Sequence, residues 1–230
     1  MSYPLAHLTE NLETLRTAWS GRLPTPGKGD NRHHAFEQMR ERYGNEHVGV
    51  WHFAFWLVQG HPHLGPVVSA ETLGDRNVYR YEPVQRFLQS IVPLQQAAAI
   101  IFQLLEPDAC KRYKRNFEAL AAKYTSMRLT FRTTPRATFL GLAIPFQVRV
   151  LPHKDNADDP EGYVGMTNLG NYTGGDLIVG SDGTMLRFAY RPGQFVVFKS
   201  ALLRHGVMPF EGERRALVLF SHEAVWKYAE

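Results

Sequence analysis

Gln147-Val148-Arg149-Val150-Leu151-Pro152-His153-Lys154-Asp155-Asn156 carries an extended-looking apolar run into a histidine and an aspartate two positions apart. Successive side chains of an extended chain point to opposite faces, so this period of two aims the His153 imidazole and the Asp155 carboxylate the same way. A second imidazole, His205, follows 52 residues later at the end of another apolar strand, Gln194-Phe195-Val196-Val197-Phe198. Two histidines and one carboxylate on one side of a metal, with the remaining positions open, make the facial triad that suits non-haem Fe(II). Nine residues past His205, Arg214 opens the strand Arg214 to Phe220, where its planar guanidinium is suited to bidentate contact with a carboxylate.

His153-x-Asp155, Gly174-Gly175-Asp176-Leu177, the distal His205 and Gly212-x-Arg214-x-Ala216 before an apolar strand resemble the Fe(II)/2-oxoglutarate dioxygenase superfamily. The finer texture, Leu169-Gly170-Asn171-Tyr172-Thr173-Gly174-Gly175-Asp176-Leu177 and Leu203-Arg204-His205-Gly206-Val207, is similar to the Tet/JBP-like branch with its fungal members. The resemblance covers roughly the last third of the chain. It implies a double-stranded β-helix (jelly-roll) core in which His153, Asp155 and His205 are both the metal ligands and the catalytic centre. Fe(II) and 2-oxoglutarate are the implied cofactors, with Arg214 anchoring the far carboxylate of 2-oxoglutarate. Asn168 and Tyr163, on the strand after the first two ligands, are further candidates for the cosubstrate pocket.

Arg215 is the competing anchor, and it points to the opposite side of the same strand; the family pattern Gly-x-Arg selects Arg214. Ala216 departs from the hydroxyl residue usual in that pattern, which leaves one cosubstrate hydrogen bond without a donor. Gly174-Gly175 reads as a tight bend between strands, because glycine tolerates positive φ. Against the metal reading stands a plainer one, a polar surface loop from Pro152 to Asp159. An isolated His-x-Asp favours that loop; linkage to the downstream His205 and Arg214 favours the metal. A cupin-type metal barrel would want a second histidine where this chain has Asp155. His61-Pro62-His63 and Arg32-His33-His34 lack a carboxylate at fitting spacing and read as polar surface.

At 230 residues and 44% hydrophobic, the chain is long enough for one well-buried core. The single cysteine, Cys110, excludes an internal disulfide and any Cys-rich zinc motif, and reads as a buried, inert thiol in a reducing compartment. With no apolar leader pattern and no apolar stretch of about 18 residues, the expectation is an intracellular protein, cytoplasmic or nuclear, with no membrane partner. The net charge of +4 is modest, but it is local: Lys111 to Arg136 holds eight basic residues and one acidic, Glu118, so the remainder is net acidic. Lys111, Arg112, Lys114 and Arg115 are therefore candidates for contact with DNA or RNA phosphates, set against the ordinary reading of a solvated helix face.

Along the chain, Leu5, Leu8, Leu12, Leu15 and Trp19 fall at helical steps. Helical patterns recur over His34 to Tyr43, Glu82 to Ser90, Pro93 to Leu105 and Lys111 to Tyr124, the last with Asp108 as a candidate cap. His47 to Val58 lacks polar alternation and reads as a buried strand. From Met127 to Phe220 short apolar runs are separated by turn signals such as Thr134-Pro135, Ser181-Asp182-Gly183 and Arg191-Pro192-Gly193. The expected class is α+β: a mainly helical support region, 1–130, and a double-stranded β-helix core, 131–230, in one structural domain.

The leading functional expectation is a Tet-like oxygenase hydroxylating a methylated pyrimidine in nucleic acid. A second is the same chemistry on a small molecule or protein residue. A third is a β-helix binding module without catalysis.

Overall fold

A computed structural model of the chain describes residues 3–19, 23–24, 36–58, 60–128, 138–181 and 183–230. Arg32-His33-His34, Thr25-Pro26-Gly27, Arg132, Thr134-Pro135, Arg136 and Asp182 lie outside the described residues. In chain order the elements are α1 (Tyr3–Ala18), α2 (Phe36–Tyr43), β1 (Gly49–Leu57), β2 (Pro66–Val68), α3 (Val78–Ser90), α4 (Val92–Leu105) and α5 (Pro107–Lys123). There follow β3 (Gly141–Phe146), β4 (Val164–Gly174), β5 (Leu177–Ser181), β6 (Thr184–Phe188), β7 (Phe195–Phe198), β8 (Arg204–Val207), β9 (Phe210–Phe220) and the short α6 (Glu223–Trp226). The chain forms two compact units. One comprises residues 1–21, 52–142 and 221–230, and the other residues 22–51 and 143–220.

The first unit is built on helices. Leu8, Leu12, Leu15 and Trp19 are buried along α1, as their spacing predicts. Helix α3 starts four residues before the predicted Glu82, because the Asn77 side chain accepts a hydrogen bond from the Tyr79 amide at 2.9 Å and caps it. Helix α5 starts at Pro107, a residue whose missing N–H costs nothing in a first turn. Asp108 makes no capping hydrogen bond there, contrary to expectation, and favours the helix only through its charge near the N-terminus. Tyr113, Phe117 and Leu120 point inward, and Phe102 packs edge-on to Tyr113 at 5.2 Å. Cys110 is buried, as expected. Of the four basic candidates Lys111, Lys114 and Arg115 are exposed, whereas Arg112 is half-buried over the Tyr113 ring. Strand β1 pairs antiparallel with β2, placing Phe55 opposite Val68. Trp51, Phe53, Ala54 and Phe55 are all buried, which is why its sequence shows no polar alternation. Among the described residues no single helix is long and apolar enough to cross a membrane; α3 and α4 reach that length and composition only as a pair bent by 42°.

The second unit is built on strands, in the order β3-β9-β4-β7 in one sheet and β6-β5-β8 in the other. Strands β9 and β7 flank β4 antiparallel, and β6 and β8 flank β5 antiparallel. This interleaved order is the double-stranded β-helix of the expected α+β class. Gly174 and Gly175 both take positive φ, 75° and 70°, at the bend from β4 to β5. Three predicted boundaries move. The run Gln147 to Leu151 is not a strand, because Gln147 at φ 52° ends β3 and turns the backbone. His205 sits on its own strand, β8, after the turn that follows β7. Arg214 lies in the middle of β9, which begins at Phe210.

Leu12 is fully buried in the first unit. Leu12→Ala removes its contacts and leaves a cavity, so urea titration should show a loss of about 2–5 kcal/mol of stability.

Candidate metal centre and anion pocket

His153 and His205 are directly cross-paired. The His153 amide donates to the His205 carbonyl at 3.0 Å, and the His205 amide returns the bond to the His153 carbonyl at 2.8 Å. Their rings lie 4.3 Å apart, centroid to centroid. Gly206 permits this approach, since a Cβ there would stand 2.9 Å from the Pro152 nitrogen. Phe198 packs edge-on to the His205 ring at 5.0 Å.

Each ring is oriented by its second nitrogen. His153 Nδ1 lies 2.8 Å from the Leu151 carbonyl and His205 Nδ1 lies 3.1 Å from the Leu203 carbonyl. A carbonyl only accepts, so Nδ1 carries the proton in both rings and the Nε2 lone pairs are left facing inward. They converge on Asp155: Oδ1 is 3.3 Å from His153 Nε2 and Oδ2 is 3.3 Å from His205 Nε2. The three donor atoms lie within 4.8 Å of one another. Lone pairs facing a carboxylate repel unless a cation lies among them, and two imidazoles with one carboxylate suit Fe(II). The residues therefore fit the ion that the sequence pattern calls for. Without a metal, burial alone would raise the Asp155 pKa, but hydrogen bonds from the two imidazoles, which then carry Nε2–H in place of the lone pair, outweigh it and hold the carboxyl well below its usual range.

A supporting pair went unnoticed in the sequence. The Asp155 amide donates to the Ser200 carbonyl at 3.1 Å, the Ser200 hydroxyl donates to buried Asp158 Oδ2 at 2.8 Å, and the Asp158 amide donates to the Asp155 carbonyl at 2.9 Å. These bonds close the ligand loop onto the turn that leads into β8. The plainer reading of 152–159 as a polar surface loop thus fails, because Asp158 and Asp159 are buried.

Arg214 is 3% exposed. Its Nη2 donates to Asn168 Oδ1 at 2.8 Å, and its guanidinium lies over the rings of Phe210 and Tyr172 at 5.5 and 5.8 Å. Nε–H is buried with no hydrogen-bond acceptor among the described residues. Burial lowers the Arg214 pKa, yet a guanidinium stays charged in proteins. A buried cation held by an amide and two rings is a receptor for an anion. Arg215, on the opposite face, lies over Phe146 and pairs with Glu213 at 3.5 Å. Of the two other cosubstrate candidates, Asn168 is thus brought to Arg214. Tyr163 instead precedes β4 by one residue and sits beneath the Lys199 ammonium at 5.3 Å. His61 and His63 lie edge to face at 5.8 Å, and the described residues place no carboxylate with them in a metal-sized cluster.

A cleft of about 540 Å³ opens beside His153, lined also by Pro152, Lys154, Asn156, Ala157 and Arg204.

No protein-family model and no curated protein matches the chain. Among solved structures it is similar to NgTET1 in complex with 5mC DNA, with a TM-score of 0.54 and 18% identity over 88% of this chain and 72% of that one. The chain shares the NgTET1 fold. More partial likenesses are to an oxidoreductase of the 2OG-Fe(II) oxygenase family from Burkholderia pseudomallei and to OsALKBH1. The first has a TM-score of 0.34 and 22% identity over 46% of this chain and 58% of that one. The second has 0.37 and 15% over 59% and 63%.

Removing one donor should abolish tight metal binding. His153→Ala and Asp155→Ala are each expected to weaken Mn(II) or Fe(II) by at least about 100-fold, measured anaerobically, with Asn156→Ala unchanged. The depressed Asp155 carboxyl sets a pH dependence for the metal-free protein. Its contribution is present above the unfolded value of about 3.9 and is lost as pH falls through the lower folded value. Asp155→Asn should therefore flatten the acid limb of a stability–pH curve.

Proposed function

We propose that this chain is an Fe(II)/2-oxoglutarate-dependent dioxygenase that oxidises a methylated pyrimidine base in nucleic acid, in the manner of a Tet-like 5-methylcytosine hydroxylase. The observation that carries the reading is the pairing of two features: three inward-facing metal donors, and a buried guanidinium with an unfilled N–H. His153, Asp155 and His205 hold the metal on one side. Arg214 binds and orients the far carboxylate of 2-oxoglutarate, while Tyr172 and Phe210 keep water from that contact. Fe(II), when bound with 2-oxoglutarate, would supply the oxidation, in which O₂, 2-oxoglutarate and a substrate C–H give succinate, CO₂ and the corresponding C–OH.

Nucleic acid as substrate is supported by likeness to a fold solved with 5mC DNA and by charge. Lys154 and Arg204 line the cleft beside His153, and Arg204 is fixed there by donating to the Pro152 carbonyl at 2.9 Å. Two cations at that mouth suit phosphates flanking a base turned out of its stack. The exposed Lys111, Lys114 and Arg115 on α5 offer further phosphate contacts.

Arg214→Ala should weaken 2-oxoglutarate by about 10- to 100-fold, the worth of one or two charge-assisted hydrogen bonds, read by calorimetry on Mn(II)-loaded protein. Iron-loaded protein incubated with methylated DNA and RNA should yield hydroxymethylated pyrimidine by nucleoside mass spectrometry. Neutralising Lys154 and Arg204 should weaken oligonucleotide binding and reduce its salt slope by roughly 1–2. Succinate release with a small molecule or protein substrate, and none with methylated oligonucleotides, would move the substrate assignment to the second reading.

A further inference from the structure

Tyr190 is buried at 2% exposure, although residues 183–189 and 191–194 on either side of it are exposed. A lone aromatic turned inward from an exposed connection is held there by something. Its backbone is tied to the anion pocket from two directions. The carbonyl accepts from the Tyr172 hydroxyl at 2.7 Å and from Asn168 Nδ2 at 3.3 Å, and Asn168 is the residue that receives Arg214. Its own hydroxyl is buried with no hydrogen-bond partner among the described residues. Burial raises the phenol pKa far above its ordinary value, against the opposing pull of the Arg214 charge, so the group is a donor at any working pH.

Arg214 Nε–H and the Tyr190 hydroxyl are thus two buried donors without acceptors among the described residues, on two residues that are both bonded to Asn168, and each carries a desolvation penalty that a bound anion would relieve. The position on β9 where the sequence pattern would place a hydroxyl holds Ala216, which pairs with Asn168 across the β4–β9 ladder. We propose that Tyr190 is a positioning residue for the cosubstrate: its hydroxyl donates to the same distal carboxylate that Arg214 grips, supplying the hydrogen bond that Ala216 lacks. This rests on the 2-oxoglutarate reading and adds to it a donor from the β6–β7 connection.

The test compares wild type with Tyr190→Phe, both Mn(II)-loaded, titrated calorimetrically with 2-oxoglutarate and with pyruvate, which has no distal carboxylate. Tyr190→Phe should bind 2-oxoglutarate about 10- to 100-fold more weakly, as expected for one charge-assisted hydrogen bond, and pyruvate equally well. Metal-free Tyr190→Phe should melt at or above the wild-type temperature, because the substitution removes an unsatisfied buried hydroxyl. Installing Ala216→Ser in the Tyr190→Phe background should recover part of the lost affinity, which a merely structural role would not do. Unchanged 2-oxoglutarate affinity, an equal loss for pyruvate, or a lowered melting temperature without ligand each overturns the proposal. If wild type itself fails to distinguish 2-oxoglutarate from pyruvate, the cosubstrate reading falls, and the proposal with it.

Discussion

Two backbone hydrogen bonds between His153 and His205 fix the distance on which the site depends. Residues 52 positions apart are joined as an antiparallel pair, so neither backbone can move without breaking a bond to the other. Each ring is then turned by its Nδ1–H to a carbonyl two residues earlier. Ligand geometry becomes a property of the main chain, with side-chain rotation nearly eliminated. Asp155 inherits the same rigidity through Ser200 and Asp158. Such support suits a metal site of three protein ligands, because an ion bound there would tie the protein together through those three residues alone.

The second constraint is electrostatic. Transferring a guanidinium from water to a site 3% exposed costs several kcal/mol unless its charge and its N–H groups are answered. Asn168 answers one N–H and the rings of Phe210 and Tyr172 answer part of the charge. The remaining deficit sits on Arg214 Nε and, nearby in the same network, on the Tyr190 hydroxyl. Buried polar groups in folded proteins are mostly paired, so two unanswered donors on residues tied to one asparagine suit the approach of an anion.

The site was more legible in the sequence than the strands that carry it. His153, Asp155 and His205, which the fold brings together, stood out because a metal restricts residue type to a few donors, and Arg214 because it follows Gly212 by two at the head of an apolar run. Strand boundaries were less so. Gln147 interrupts an otherwise good β-pattern through a positive φ that no apolar periodicity encodes, and its side chain then serves β9, donating to the Gly212 carbonyl at 2.8 Å and accepting from the Arg214 amide at 2.5 Å. Asn77 lengthened α3 by a capping bond, a signal carried by one polar residue outside the apolar stripe. Tyr163 reads in sequence as part of the strand that carries Asn168, but it precedes the first residue of β4 and packs with Lys199. Tyr190 carries no comparable signal: it stands directly before the turn residues Arg191-Pro192-Gly193, with exposed residues on both sides. The hydrogen bonds that tie its carbonyl to Asn168 and Tyr172 join residues 22 and 18 positions apart, which only the fold supplies.

What keeps Arg214 rather than Arg215 in the pocket is register. In the β4–β9 ladder Gly170 faces Arg214 and Tyr172 faces Gly212. Both glycines take positive φ, 113° and 100°. A Cβ on Gly170 would lie 2.1 Å from the Glu213 carbonyl oxygen, and one on Gly212 would lie 2.4 Å from that of Asn171. A slip of one residue would set side chains against those carbonyls and turn every β9 residue to the other face. Arg215 would then enter the pocket, and Arg214 would leave Asn168 for the face that now holds Phe146. The two glycines therefore act on the anion site without touching it. They make one alignment of two eleven-residue strands sterically acceptable, and that alignment buries Arg214 beside Asn168 and sets Arg215 on the other face.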